Sequence, residues 1–136
     1  MRIKLLTFLL SLSFLMILAC SDNDDPLRPP DYSPLIAGEW NGMTVAAGDT
    51  LLFNMNLDGV ENKVNGTSLF KVNSNDAEQL TVAGDITYPN VSLVYQSDKH
   101  NFTFKGKFQA TNSDILDGTL QNERYGAIPI TFTKKK

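Results

Sequence analysis

FTFKGKFQ, residues 102–109, alternates without a break. Phe102, Phe104, Gly106 and Phe108 share one parity; Thr103, Lys105, Lys107 and Gln109 share the other. Successive side chains of a strand point to opposite faces, so the octapeptide reads as a strand with one apolar and one wet face. A glycine sits at the centre of the apolar face. Mid-strand glycine costs stability and marks a bend, a bulge or the close approach of another backbone. The same pattern (apolar, any, glycine, any, apolar) recurs as VAGDI at 82–86 and LDGTL at 116–120, with VNGT at 64–67 as a partial copy. Repeated bends of this kind are what a sheet needs to close into a barrel.

Outward from that stretch, alternation predicts eight strands: 37–46, 50–57, 60–71, 78–87, 91–96, 102–109, 115–121 and 127–134. Asp58-Gly59 is predicted to turn the chain between the second and third. NSND at 73–76, Pro89-Asn90, DKHN at 98–101 and NERYG at 122–126 supply further turns. Connections this short admit only antiparallel neighbours, because parallel strands need crossovers of about a dozen residues or more. The predicted fold is therefore all-β: an eight-stranded antiparallel up-and-down meander closing into a small β-barrel. Pro129 has no N–H to give a ladder, which predicts an edge or imperfect closure where the last strand meets the first.

The inward set by parity is Trp40, Phe53, Met55, Leu57, Leu80, Val82, Phe102, Phe104, Phe108, Leu120, Ile130 and Phe132. An eight-stranded barrel is filled by such side chains or holds one small ligand. Trp40, Phe53, Met55 and Phe104 are the candidate lining of a site for a small apolar ligand. A filled core is the competing outcome and would shift the expectation to an envelope protein or glycan partner.

The N-terminus follows other rules. Arg2 and Lys4 precede LLTFLLSLSFLMILA, an uncharged run at 5–19. A basic start, a short apolar core and a small residue at the end describe a secretory signal peptide, and the run falls short of the ~20 residues that span a bilayer as a helix. Residues 1–19 are the predicted signal segment. Ile17-Leu18-Ala19-Cys20 resembles the lipobox of bacterial lipoprotein precursors. That resemblance implies diacylation of the Cys20 sulfur, cleavage between Ala19 and Cys20, and acylation, as by palmitate, of the new amino terminus. Several acyl chains anchor durably where one binds only marginally, so the implied partner is a membrane. Cys20 is the only cysteine, so it has no disulfide partner.

Residues 20–35 hold four of the six prolines and no periodicity. They predict an extended tether of about 3.1 Å per residue, leaving 36–136 as the barrel domain. Ser21 lacks the aspartate that retains lipoproteins in the inner membrane, which favours outer-membrane sorting. Asp22, Asp24 and Asp25 resemble the acidic signal that exports some lipoproteins to the cell surface. A periplasm-facing domain is the alternative.

Charge and residue inventory exclude other classes. The net charge of −3 argues against nucleic acid, whose binding rests on neutralising phosphates. No catalytic function is expected: His100 is the sole histidine and falls in a turn, and no Gly-x-Ser-x-Gly motif occurs. One histidine and one lipidated cysteine make no usual zinc site, so neither metal nor cofactor is expected. Lys134-Lys135-Lys136 reads as a solvated tail. Asp49-Thr50-Leu51 resembles a bacterial O-glycosylation sequence.

IAGEWNG at 36–42 places Gly38-x-Trp40 at the head of the first strand. With the eight-strand meander behind it, this resembles the lipocalin and avidin-like barrels. The resemblance implies that Trp40 plugs one end of the barrel and that a late basic residue packs on its ring, with Arg124 the candidate. Biotin is not implied, since biotin sites use several tryptophans and this chain has one.

Overall fold

The computed structural model describes residues 27–136, so the signal segment, Ala19 and Cys20 lie outside the described residues. Eight antiparallel strands follow a short helix: α1 (Ser33–Ile36), β1 (Gly38–Ala46), β2 (Asp49–Val60), β3 (Lys63–Val72), β4 (Glu78–Thr87), β5 (Asn90–Gln96), β6 (Asn101–Gln109), β7 (Asn112–Asn122) and β8 (Gly126–Lys134). Each strand pairs with the next, and β8 pairs back onto β1, closing the barrel. The up-and-down order follows from the turns. Ala47-Gly48 and Glu61-Asn62 both take left-handed φ, the conformation that matches strand twist in two-residue hairpins.

Two expected boundaries move. The second turn falls at Glu61-Asn62 and not at Asp58-Gly59, which continue β2 opposite Asn65 and Val64. Gly59 serves packing instead. A Cβ there would lie 2.7 Å from the Cβ of Ser33, so the glycine makes room for α1. The expected tether also ends sooner than residue 35. Residues 31–35 pack within the same compact unit as the strands, and the Asp31 carboxylate accepts hydrogen bonds from the backbone N–H groups of Ser33 (2.9 Å), Asn62 (3.0 Å) and Glu61 (3.3 Å).

The Ser33 side chain foremost, and then these backbone bonds, lower the Asp31 pKa from 3.8 to about 2. A depressed carboxylate pKa stabilises the fold above the unfolded value and loses that contribution as pH falls through the folded one. In urea titrations at stepped pH, Asp31→Asn is expected to be less stable than the parent at pH 7. The gap should narrow between about pH 4 and pH 2. A gap constant with pH would show that the carboxylate charge is immaterial.

The β1–β8 seam is short: Trp40, Asn41 and Gly42 face Lys134, Thr133 and Phe132. Pro129 lies beyond it, and its carbonyl is taken by the Thr44 hydroxyl at 2.9 Å. The barrel is closed, so Pro129, paired with Thr119 on β7, does not mark the edge or imperfect closure expected of it.

Trp40 is fully buried and plugs the end carrying α1. Its Nε1–H donates to the Ile36 carbonyl at 2.7 Å. The basic residue on its ring is Lys134, with Nζ 5.6 Å from the ring centroid, and not Arg124. Lys134 also donates to the Leu35 carbonyl at 3.0 Å. Helix carbonyls left without internal partners need such donors, and a cation at a helix C-terminus is favourable. Arg124 instead lies over Tyr125 and pairs with Asp49 at 3.5 Å, in the turn after β7. The basic tail is likewise engaged: Lys135 N–H donates to the Glu39 carbonyl at 2.8 Å, and its Nζ lies 3.2 Å from the Glu39 carboxylate.

Candidate functional site

All twelve residues assigned inward by parity are buried. Phe53 is the hub. Its ring contacts Phe70 (4.8 Å between centroids), Phe102 (5.4 Å), Tyr95 (5.8 Å) and Phe132 (6.1 Å). Phe104 joins through Phe132 at 5.2 Å. Such edge-to-face and tilted pairs add roughly 0.5–1.5 kcal/mol each beyond area burial. Trp40 and Met55 are register partners on β1 and β2. The four candidate lining residues are therefore one packed assembly: Trp40 caps it, and Phe53, Met55 and Phe104 fill it.

Two polar groups interrupt this interior. The Tyr95 hydroxyl donates to the Met55 sulfur at 3.0 Å, and burial of Tyr95 drives its pKa upward. Ser68, the Cα partner of Met55 across the ladder, is 1% exposed, and its Oγ has no hydrogen-bond partner. A buried hydroxyl without a partner bears its desolvation cost unrelieved. Ser68→Ala is expected to raise unfolding free energy by about 1 kcal/mol, read by urea titration. A loss of stability would mean that the hydroxyl is satisfied in solution.

His100 lies in the turn expected of it but is held there by residues of other strands. Its Nδ1 lies 2.9 Å from Glu78 Oε2, and its ring packs edge-on against Phe70 at 5.1 Å, covering the barrel end opposite α1. The Ser97 hydroxyl bonds the other Glu78 oxygen. These bonds, Ser97 first, hold the Glu78 carboxyl below its ordinary range. The serine here is bound to the acid and not to the imidazole, so the geometry is that of a turn clamp and not of a proton relay. Asp49 forms a second clamp. It accepts from Asn73 Nδ2 (2.9 Å) and the Tyr125 hydroxyl (3.0 Å), so Thr50 lies in an ordered corner between three turns. Among the described residues, no three His, Cys, Asp or Glu side chains converge as metal ligands would.

Recesses lie on the outer face and around the barrel end that carries α1. Register places Asp85, Ser92 and Lys105 in one rung across β4–β6, and Thr87, Asn90, Lys107 and Asp117 in a second across β4–β7. The rung between them points inward and includes Val91, Gly106 and Gly118. The two outer rungs bound a groove of about 520 Å³ floored by that backbone. A second recess of about 530 Å³ shares Lys107 and Asp117 with it and adds Tyr88, Phe108 and Thr111. A third, of about 540 Å³, shares Tyr88, Gln109 and Thr111 and reaches Tyr32 and Leu35. Tyr88 is 44% exposed and stacks on Tyr32 at 4.6 Å. None of these outer residues stands out in the sequence, because only cross-strand pairing assembles them.

No protein-family model matches the chain, and no curated protein matches it in sequence. Among solved structures, it is similar to a de novo designed fluorescence-activating β-barrel, at 10% identity and a TM-score of 0.62, over 79% of this chain and 100% of that one. It is also similar to a redesigned β-barrel, mFAP1, bound to DFHBI, at 12% identity and a TM-score of 0.56, over 76% of this chain and 97% of that one. At such identities the likeness is one of fold.

Proposed function

We propose that this protein is a bacterial lipoprotein of the outer membrane, acylated at Cys20 and displayed at the cell surface, whose barrel is a non-catalytic recognition module acting through its outer face. The observation that carries the outer-face reading is the packed interior: Phe53 and four neighbouring rings occupy the space a ligand would take, while the recesses open outward. The anchoring reading rests on Ile17-Leu18-Ala19-Cys20 and the acids behind it. The Gly38-x-Trp40 start, with Lys134 over the indole, supports a lipocalin-like ancestry.

Metabolic labelling with palmitate tests the anchor. Label is expected on the parent chain and absent from Cys20→Ser; unlabelled parent protein would refute acylation. Protease added to intact cells distinguishes surface display from a periplasm-facing domain. An apolar fluorogenic dye tests the interior, and no saturable binding is expected.

A second reading, a small apolar ligand inside the barrel, is favoured by the unpartnered Ser68 hydroxyl, which would give such a ligand one polar anchor. It also draws on the fluorescence-activating barrels similar in fold. Saturable dye binding abolished by Phe104→Trp would make this reading the correct one.

A further inference from the structure

We propose that the outer trough from the β4–β7 rungs past Tyr88 to α1 binds an acidic oligosaccharide. This rests on the outer-face reading above and names its ligand class. The three recesses share lining residues in series, so they form one elongated depression. Along β6 alone, from Lys105 to Gln109, it spans about 13 Å at a strand's rise per residue. Each part is of the size that takes a small ligand. The whole is long and shallow, which suits a chain of rings better than a compact molecule.

The chemistry of the walls narrows the class. Thr87, Asn90, Ser92 and Lys105 make no side-chain hydrogen bond among the described residues. Together they offer hydroxyl, amide and ammonium groups that can both donate and accept. The carboxylates nearby are already committed. Asp85 is paired with Lys63, and Asp117 accepts from Thr131 (2.7 Å) and Gln109 (2.6 Å). The uncommitted charge of the groove is therefore the Lys105 ammonium, with Lys107 beside it across from Asp117. With Lys107 set opposite Asp117, the Lys105 ammonium is the charge left to meet an anionic group of a ligand. Tyr88, backed by Tyr32 and half exposed, adds an aromatic surface with a polar tip, the kind of side chain enriched where one end of a contact is apolar and the other wet. Rings bearing many hydroxyls and a carboxylate match all three features.

Other occupants fit less well. A peptide added as a strand needs an unpaired sheet edge, and β4–β7 are each paired on both sides. A nucleic acid needs a run of phosphate contacts, and the trough offers two lysines. An acyl chain would leave the polar rim unpaired.

The test uses the full chain in detergent micelles, titrated with trigalacturonate and, separately, with uncharged maltotriose, and followed by backbone amide chemical shifts. Saturable shifts at Tyr88, Asn90, Lys105 and Thr111 are expected with trigalacturonate and much weaker ones with maltotriose. Lys105→Gln should weaken trigalacturonate binding about tenfold or more, the scale of a lost charge-assisted hydrogen bond. Tyr88→Ala should weaken both sugars. If Tyr88→Ala disturbs the dispersion of the spectrum, the exposed Lys105→Gln substitution alone decides. The absence of saturable shifts with trigalacturonate, or shifts confined to another face, overturns the saccharide assignment. Failure of the outer-face reading would show differently, as saturable binding of the apolar dye to the interior.

Discussion

Phe53→Ala is expected to cost about 3–5 kcal/mol of unfolding free energy, the range for truncating a buried aromatic that its neighbours cannot collapse around. Phe53 is 1% exposed and touches four other rings. Its loss removes dispersion contacts on every side and leaves a void the closed ladder resists filling. Urea titration with an unchanged m-value is the measurement. A cost below about 1.5 kcal/mol would show that the core repacks freely and that its interior is looser than described. The same variant offers a second readout. A void lined by Phe70, Phe102 and Phe132 is apolar, and apolar voids of sufficient size stay dry and admit small apolar molecules. Phe53→Ala should therefore gain dye binding that the parent lacks.

Gly118→Ala should be nearly as damaging, although it adds only one methyl group. The added Cβ would lie 2.6 Å from the Cα of Gly106 and 2.6 Å from Cε2 of Phe104, and closer still to the Lys105 carbonyl. Two of these neighbours are backbone of β6, so relief requires the β6–β7 ladder to separate. Overpacking costs typically 1–3 kcal/mol, and a clash with paired backbone belongs at the upper end, about 3 kcal/mol. Gly106 and Gly118 face each other across that ladder with the Phe104 ring against both positions. The pair makes a floor for the ring where any side chain would displace it. Gly118→Ala with parent-like stability would mean that the strands approach less closely than the ladder implies.

The fold is legible in the sequence because its signal is local. Alternation of period two places Phe102, Phe104 and Phe108 inward whatever the rest of the chain does, and the glycine bends repeat within single strands. The displaced hairpin shows the limit. Asp58-Gly59 has turn chemistry, but Gly59 is a glycine because Ser33, 26 residues upstream, packs against it, a contact no local pattern encodes. Lys134 on Trp40 is hidden for the same reason: a basic tail looks solvated until the barrel closes and brings residue 134 opposite residue 40. His100 looks like a turn residue and is one, yet Glu78 and Phe70 reach it from other strands. The candidate trough is illegible because its rungs combine outward residues from four strands. Each of them alone is an ordinary surface Asp, Ser, Thr, Asn or Lys.

The short β1–β8 seam has a consequence for how the molecule assembles. Seven of the eight ladders join neighbours in sequence and form as hairpins with short loops. The eighth joins residues about ninety apart, and the entropy of bringing such distant segments together must be met before their contacts reward it. Its reward is a ladder of three Cα pairs, supplemented by the bonds of Thr44, Lys134 and Lys135. Ring closure should then be the last event of folding: substitutions at Thr44 or Lys134 should speed unfolding and leave the folding rate nearly unchanged. The three terminal lysines, so easily taken for a solvated tail, include the clasp that turns a curled ribbon into a ring.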